Sequence, residues 1–315
     1  MGKAKINYFD HPVFDEKRLH LITPAMSKLL EEVLRWLWTG ATGGLIIGMS
    51  RVGKTTALLD LIPKLYTRGK VQIPTYYISI PTRDKSTIAS LFRELCYSVN
   101  LRVTNYDRPA DLSDRYVHFI SDQLVMKKCK SAVLIVDEAQ RLIPIQFNAF
   151  AELYDKLLRM DITLTVIFAA NDPECWSLIE AIEEPHYAHI HGRFFTQGTR
   201  FLGITSKDEV KYCLTQYDTL RYPVKGPTYT EYFLPEAFQN GWRLAMLSND
   251  LWRVFREYQK NYHIKSWGMK YFTSVTNTLL TDFLPRCDLE NINDDVIHEY
   301  FKISGLIPSL VRPVK

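Results

Sequence analysis

Gly48-Met49-Ser50-Arg51-Val52-Gly53-Lys54-Thr55 decides how the rest of this chain is read. The stretch fits the pattern G-x-x-x-x-G-K-[ST] without a gap. Leu45-Ile46-Ile47 before it reads as a short buried strand, and Thr56-Ala57-Leu58-Leu59-Asp60-Leu61-Ile62 after it opens a helix. In a strand–loop–helix of this kind the backbone N–H groups form an anion-binding nest, and the helix N-terminus adds its positive dipole end. Lys54 is placed to reach the β- and γ-phosphates of a nucleoside triphosphate, and the Thr55 hydroxyl to ligate magnesium. The expected nucleotide-binding segment therefore runs from Gly48 to Thr56. A glycine-rich turn with a surface lysine is the plainer alternative, and the flanking strand and helix speak against it.

A second motif adds hydrolysis. Ala132-Val133-Leu134-Ile135-Val136 is a run of five apolar residues, as in a strand buried on both faces of a parallel sheet. Asp137 and Glu138 follow at its carboxyl end, where open α/β sheets place their ligands. Asp137 suits the Walker-B role of holding magnesium. Glu138 suits a general base or water positioner, because strand alternation points it away from Asp137. Taken alone, the pair could equally be an acidic helix cap after a core strand. The phosphate loop upstream shifts that balance.

Composition sets the frame. The 315 residues allow one large domain or two modest ones, with 46% hydrophobic and 23% charged residues. No apolar run reaches the ~18 residues of a membrane span, and the N-terminus has no apolar signal core. Five scattered cysteines without C-x-x-C spacing read as reduced thiols, which points to a cytoplasmic location. The net charge of +4 is spread evenly: residues 205–315 hold 14 basic against 13 acidic side chains, and the preceding residues 25 against 22. A nucleic-acid surface must then be a local patch or one built by assembling subunits.

Periodicity gives the architecture. After an extended lead over 1–24, residues 25–38 read as an amphipathic helix, 75–80 as a strand and 86–100 as a helix. Residues 112–127 and 147–160 read as further helices, 162–170 as a buried strand and 201–204 as a short final strand. Strand and helix alternate to residue 204, the pattern of a parallel sheet covered by helices on both faces. An additional strand lies between the phosphate-loop strand and the Walker-B strand, as in the strand-inserted NTPases. From Ser206 onward only helices and loops are expected. The expected domains are an N-terminal extension (1–24), an α/β nucleotide-binding domain (25–204) and a smaller helical lid with the C-terminal segment (205–315).

Further polar residues have roles waiting for them. Asn171 ends the strand after Walker B, where it can orient water or sense the γ-phosphate, or simply begin the turn at Asp172-Pro173. Arg193, just before the last strand, can act across a subunit boundary on transition-state charge, and Arg200 competes for that role. Arg243, after Gly241-Trp242, can reach the nucleotide from the lid side. His186, His189 and His191 are crowded but lack acidic or cysteine partners at zinc spacing. Lys127-Lys128-Cys129-Lys130 reads as a solvated turn. Arg253, Arg256 and Lys260 form one face of a lid helix, with Trp252 and Phe255 on another.

Gly48 to Thr55, Asp137-Glu138-Ala139-Gln140-Arg141-Leu142, Asn171 and Gly241-Trp242-Arg243 together resemble an AAA+ ATPase of the initiator-related clade. The D-E-A-Q run with a following basic residue is similar to that of TnsC/TniB regulators of Tn-seven-like, CRISPR-associated transposons, and to secretion-type relatives. The resemblance covers about residues 25–260. It implies ATP and Mg2+ as ligands, Asn171 as sensor one, Arg193 as the finger and Arg243 as sensor two. It also implies rings or filaments on double-stranded DNA that link a TniQ-like target-selection protein to transposase subunits in a bacterial cytoplasm. Hydrolysis then disassembles or resets the platform. Arg83 and Lys85, in Thr82-Arg83-Asp84-Lys85-Ser86, stand where relatives grip the DNA backbone, although a solvated loop with Ser86 as helix cap reads as well. Arg51 departs from the glycine that many relatives carry. The competing expectation is an ATPase of secretion or envelope assembly that does not bind DNA.

Overall fold

The structure is a computed structural model that describes residues 8–82, 87–287, 289 and 292–307. Five strands form one parallel sheet: β1 (Gly43–Met49), β2 (Thr75–Ser79), β3 (Ser131–Asp137), β4 (Thr163–Asp172) and β5 (Gly198–Arg200). Their spatial order is β2-β3-β4-β1-β5, and every pairing is parallel. In space it is β4 that separates the phosphate-loop strand from the Walker-B strand, while β2 takes the edge. The register aligns Gly48 with Asn171 and Ser79 with Asp137. The carboxyl ends of β1, β2, β3 and β4 thus lie together at one end of the sheet.

Seven helices accompany the sheet. They are α1 (Pro24–Trp38), α2 (Lys54–Leu61), α3 (Ile88–Ser98), α4 (Pro109–Lys127), α5 (Phe147–Arg159), α6 (Trp176–Glu183) and α7 (Ala188–Phe194). The compact unit Ser27–Phe201 holds all of these from Ser27 onward. Alternation along the strands sends Leu134, Val136, Leu164, Val166 and Phe168 into one core with α3, α4, α5 and α7. Ile46, Val133, Ile135 and Ile167 face the other way and are equally sealed from solvent. Trp36 of α1, 1% exposed, packs over Gly44 on that second face. Phe168 is wedged among Phe147, Phe150, Phe194 and Phe195 at centroid distances of 5.2, 5.2, 6.0 and 5.3 Å. Truncating one such ring costs about 3–5 kcal/mol, so β4 is firmly held where it presents Asn171.

The last strand lies earlier than the apolar pattern of 201–204 suggests. β5 is Gly198–Arg200, pairing with Leu45, Ile46 and Ile47. Phe201 still donates its N–H to the Ile47 carbonyl at 2.8 Å, but Ile204 bridges to Trp267 instead. The strand is short, polar and at an edge, so it carries no buried alternation to read. Helix α3 is capped by Thr87 in a reciprocal pair with Ser90; Ser86 lies outside the described residues.

The second compact unit joins the N-terminal residues through Met26 to those from Leu202 onward. Its helices are α8 (Lys207–Thr219), α9 (Tyr229–Phe233), α10 (Pro235–Gln239), α11 (Ser248–Tyr262), α12 (Met269–Thr278) and α13 (Asp294–Ile303). Trp267 is fully buried, stacked on Phe255 at 5.0 Å and packed against Phe301 at 4.7 Å. The N-terminal lead is built into this unit. The Gln216 side-chain amide takes the Ile22 N–H at 2.8 Å and donates to the Ile22 carbonyl at 2.7 Å. His11 is enclosed by Tyr222, Tyr229, Tyr232 and Phe233, with centroids 4.7–5.0 Å away. No helix among the described residues is long and apolar enough to cross a membrane.

Candidate nucleotide site

The phosphate loop is shaped by its backbone. Gly53, with φ of 99°, caps α2 from the left-handed region, where a side chain is costly. Arg51 also lies in that region, with φ of 64°. This is the physical reason a glycine suits that position, and why Arg51 is a departure from pattern without being a break in the loop. Gly48 has a different reason. A Cβ there would come within 2.4 Å of the Phe201 carbonyl oxygen, so the strand end closes only around glycine.

Lys54 folds back over the loop. It is 7% exposed, and its Nζ donates to the Gly48 carbonyl at 2.6 Å, the Met49 carbonyl at 2.8 Å and Asn171 Oδ1 at 2.7 Å. Burial holds its pKa below the usual lysine value, and the nearby Asp137 and Glu138 partly offset this. Its three direct acceptors are thus neutral oxygens, with the carboxylates one layer out.

Asp137, at the end of β3, is 2% exposed. Its Oδ2 accepts from Thr55 Oγ1 at 2.6 Å and from the Tyr77 hydroxyl at 2.9 Å, and its Oδ1 accepts from the Glu138 N–H at 2.8 Å. Desolvation and the adjacent Asp137 push the Tyr77 hydroxyl well above the usual tyrosine range. Tyr77 therefore stays a proton donor to Asp137. Nothing in the sequence singles it out except its place on β2, on the face opposite Tyr76.

Glu138 leaves the strand in the left-handed region, with φ of 58° and ψ of 35°. For a residue of this kind the conformation costs about 1 kcal/mol or more and persists only where neighbours enforce it. The neighbours are visible. Glu138 Oε2 accepts from Gln140 Nε2 at 2.8 Å and Asn171 Nδ2 at 3.4 Å, and pairs with Arg141 Nη2 at 2.9 Å. Arg141 also donates to the Ile80 carbonyl at 2.8 Å. Gln140 and Arg141 were visible in the sequence only as part of the D-E-A-Q-R run.

The residues present suit a magnesium–triphosphate group. A buried carboxylate and a hydroxyl hydrogen-bond each other beside a helix N-terminus, with a desolvated lysine at the start of that helix folded over the end of β1. Among the described residues no group of three or more His, Cys, Asp or Glu side chains is arranged to hold a metal. A magnesium ion here would be held by one carboxylate, one hydroxyl and water.

The other expected residues have partners of their own, or lie outside the described residues. Arg193, on α7, pairs with Asp155 at 3.1 Å and lies over the Tyr154 ring at 4.7 Å. Arg200, on β5, pairs with Asp172 at 3.3 Å and lies 5.7 Å from the Trp176 ring. Arg243 belongs to the other compact unit, where it donates to the Phe238 and Trp242 carbonyls at 2.8 and 2.7 Å. The turn that carries it is fixed by Asp218, which accepts from the Leu244 and Ala245 N–H groups and the Thr230 hydroxyl. His189 bonds Asn148 at 3.3 Å. Lys130 pairs with Asp161, and Arg253 with Asp250 and Asp294. Arg83 and Lys85 lie outside the described residues.

Residues 39–179 match the family described as AAA domain. No curated protein matches the chain. Among solved structures, the Drosophila ORC bound to DNA superposes with a TM-score of 0.52 at 16% identity, covering 95% of this chain and 68% of that one. The Aeropyrum pernix ORC2 protein in ADPNP–ADP complexes gives 0.47 at 14%, covering 96% and 86%. Cdc6p from Pyrobaculum aerophilum gives 0.44 at 17%, covering 93% and 83%. At 16% identity the likeness to the Drosophila structure is one of fold alone. Residues 39–179 are thus an AAA domain of the P-loop ATPase class.

Proposed function

We propose that this chain is an ATP-dependent, oligomeric DNA-binding regulator of transposition. The observation that carries the ATP-dependent part is the convergence of Lys54, Thr55, Asp137, Glu138 and Asn171 at one end of the sheet. The transposition part is supported by the resemblance of the Asp137–Leu142 run to TnsC/TniB-type regulators.

In this reading Lys54 exchanges the Gly48 and Met49 carbonyls for phosphate oxygens, and the N–H groups from Met49 to Thr56 line the phosphates. Thr55 and Asp137 hold magnesium, which when bound neutralises charge on the β- and γ-oxygens. Glu138 accepts a proton from the attacking water as that water adds to the γ-phosphorus, and ADP departs. Asn171, already bonded to both Lys54 and Glu138, reports the γ-phosphate to β4. Arg193 of a neighbouring copy supplies charge to the transition state, for which it must leave Asp155 and Tyr154; Arg200 is the alternative donor. Arg243 takes the sensor-two role. ATP between copies then cements a ring or filament on duplex DNA, gripped through phosphates by Arg83 and Lys85. The assembly joins a TniQ-like target selector to transposase subunits, and hydrolysis releases it.

Electron microscopy of the purified protein with duplex DNA, with and without a non-hydrolysable ATP analogue, tests this. Rings or filaments on DNA only with nucleotide are expected. Nucleotide-driven oligomers that ignore DNA would replace the reading with a secretion or envelope-assembly ATPase. No nucleotide-driven assembly at all would overturn both.

A further inference from the structure

We propose that Gln140 is the positioning residue for the catalytic base, and that it fixes which oxygen of Glu138 faces the attacking water. The inference rests on the reading of Glu138 as that base. Gln140 sits in the single turn Ala139–Arg141 that follows β3, anchored by Ala139, which is 1% exposed. Its side chain is held at both ends. Oε1 accepts the Asn171 backbone N–H at 3.1 Å, and Nε2 donates to Glu138 Oε2 at 2.8 Å. The orientation of the amide is settled by chemistry: a backbone N–H can only donate, so the carbonyl end must face Asn171 and the NH2 end Glu138. One side chain thus ties the base to β4 at the residue whose own amide touches Lys54.

The geometry also separates the two carboxylate oxygens. Gln140 and Asn171 both donate to Oε2, and Arg141 forms its ion pair with the same oxygen. An oxygen engaged by two donors and an adjacent guanidinium has its electron density drawn away and few open lone-pair directions, so it is a poor proton acceptor. Oε1 is the oxygen left to take the proton. Arg141 contributes charge from a side chain that is 38% exposed, where solvent weakens it. Gln140 contributes geometry, because its carbonyl end is fixed to the backbone of β4 and its other end holds Glu138. The left-handed backbone of Glu138 calls for such a restraint, since its own backbone preference would turn the side chain elsewhere.

Two substitutions separate positioning from a merely structural tie. Gln140→Met removes both bonds. Gln140→Glu keeps the acceptor for the Asn171 N–H but replaces the donor to Glu138 with a second carboxylate. Steady-state ATP hydrolysis is measured for both, beside Glu138→Gln, with KM for ATP, equilibrium binding of a fluorescent ATP analogue and thermal unfolding. Both Gln140 variants should lose about tenfold or more in kcat, as expected when a reacting group is misplaced. KM and nucleotide affinity should stay within about twofold, because the loss falls on the transition state. Wild-type kcat in Gln140→Glu would overturn the proposal, because the bond to β4 alone would then suffice. So would a loss confined to KM. Near wild-type turnover in Glu138→Gln would instead remove the base reading beneath it, whatever the Gln140 variants do. If Gln140→Met fails to fold, the isosteric Gln140→Glu still decides.

Discussion

The two compact units bury polar side chains to different ends. In Ser27–Phe201, Lys54 and Asp137 are almost sealed from solvent, yet their partners are exchangeable: loop carbonyls, a hydroxyl, a side-chain amide. In the helical unit, Asp218 caps the Leu244 and Ala245 N–H groups, and Gln216 clamps both backbone groups of Ile22. Those bonds satisfy backbone groups, so they hold structure and cannot be lent to a ligand. A buried polar group whose bonds could be traded for phosphate oxygens marks a site. One whose bonds complete the backbone marks a joint.

Substitutions that hit one kind or the other can break this contrast. The largest effect is expected from Lys54→Ala. Charge-assisted hydrogen bonds contribute about 1.5–3 kcal/mol each, so ATP affinity should fall about a hundredfold or more while the apoprotein stays folded. Calorimetric titration with ATP and magnesium checks it, and undiminished affinity would mean that Lys54 is a joint after all.

His11 probes the other unit. It is fully buried, with Nδ1 accepting the Val13 N–H at 3.2 Å. Burial, with a smaller contribution from Arg18, lowers its pKa from 6.5 to about 4. Between those values the unfolded chain binds the proton and the folded chain does not, so stability is lost as pH falls from 6.5 towards 4. The difference corresponds to at most about 3 kcal/mol. Denaturant unfolding across that range should show the loss in wild type and a flatter profile in His11→Phe, with ATP affinity untouched. Equal pH dependence in the two would deny His11 its structural part.

The smallest effect sharpens the site from the packing side. In Gly48→Ala the added methyl meets the Phe201 carbonyl, which should cost about 1–3 kcal/mol of stability, as overpacking does. Thermal unfolding of the apoprotein measures it. An unchanged transition would show that the strand end has room to shift.

How much of this was legible in the sequence follows the same division. The phosphate loop, the Walker-B strand and Asn171 were readable because their chemistry demands particular residues at particular spacings, and buried parallel strands are uniformly apolar. Helices α6 and α7 and the position of β5 were not, since short elements with few buried positions leave no period to follow. Tyr77, Gln140 and Arg141 escaped for another reason. The Tyr77 bond to Asp137 and the ties of Gln140 to Asn171 and of Arg141 to Ile80 are set by the strand order β2-β3-β4, and spacing along the chain carries no trace of which strand lies beside which. The N-terminal lead looked like an extension because Gln216 and the aromatic enclosure of His11 lie some 200 residues away in the chain, as in the Ile22–Gln216 pair separated by 194 positions.

The central claim is that Glu138 is a base in a site that binds ATP without it. Glu138→Gln keeps the shape and the bonds that an amide can make, and removes the proton acceptor. Equilibrium ATP binding and steady-state hydrolysis, measured on one preparation, should show wild-type affinity with turnover reduced about 10²- to 10⁴-fold, the range of a lost general base. Turnover near the wild-type rate, with ATP bound normally, would contradict the account.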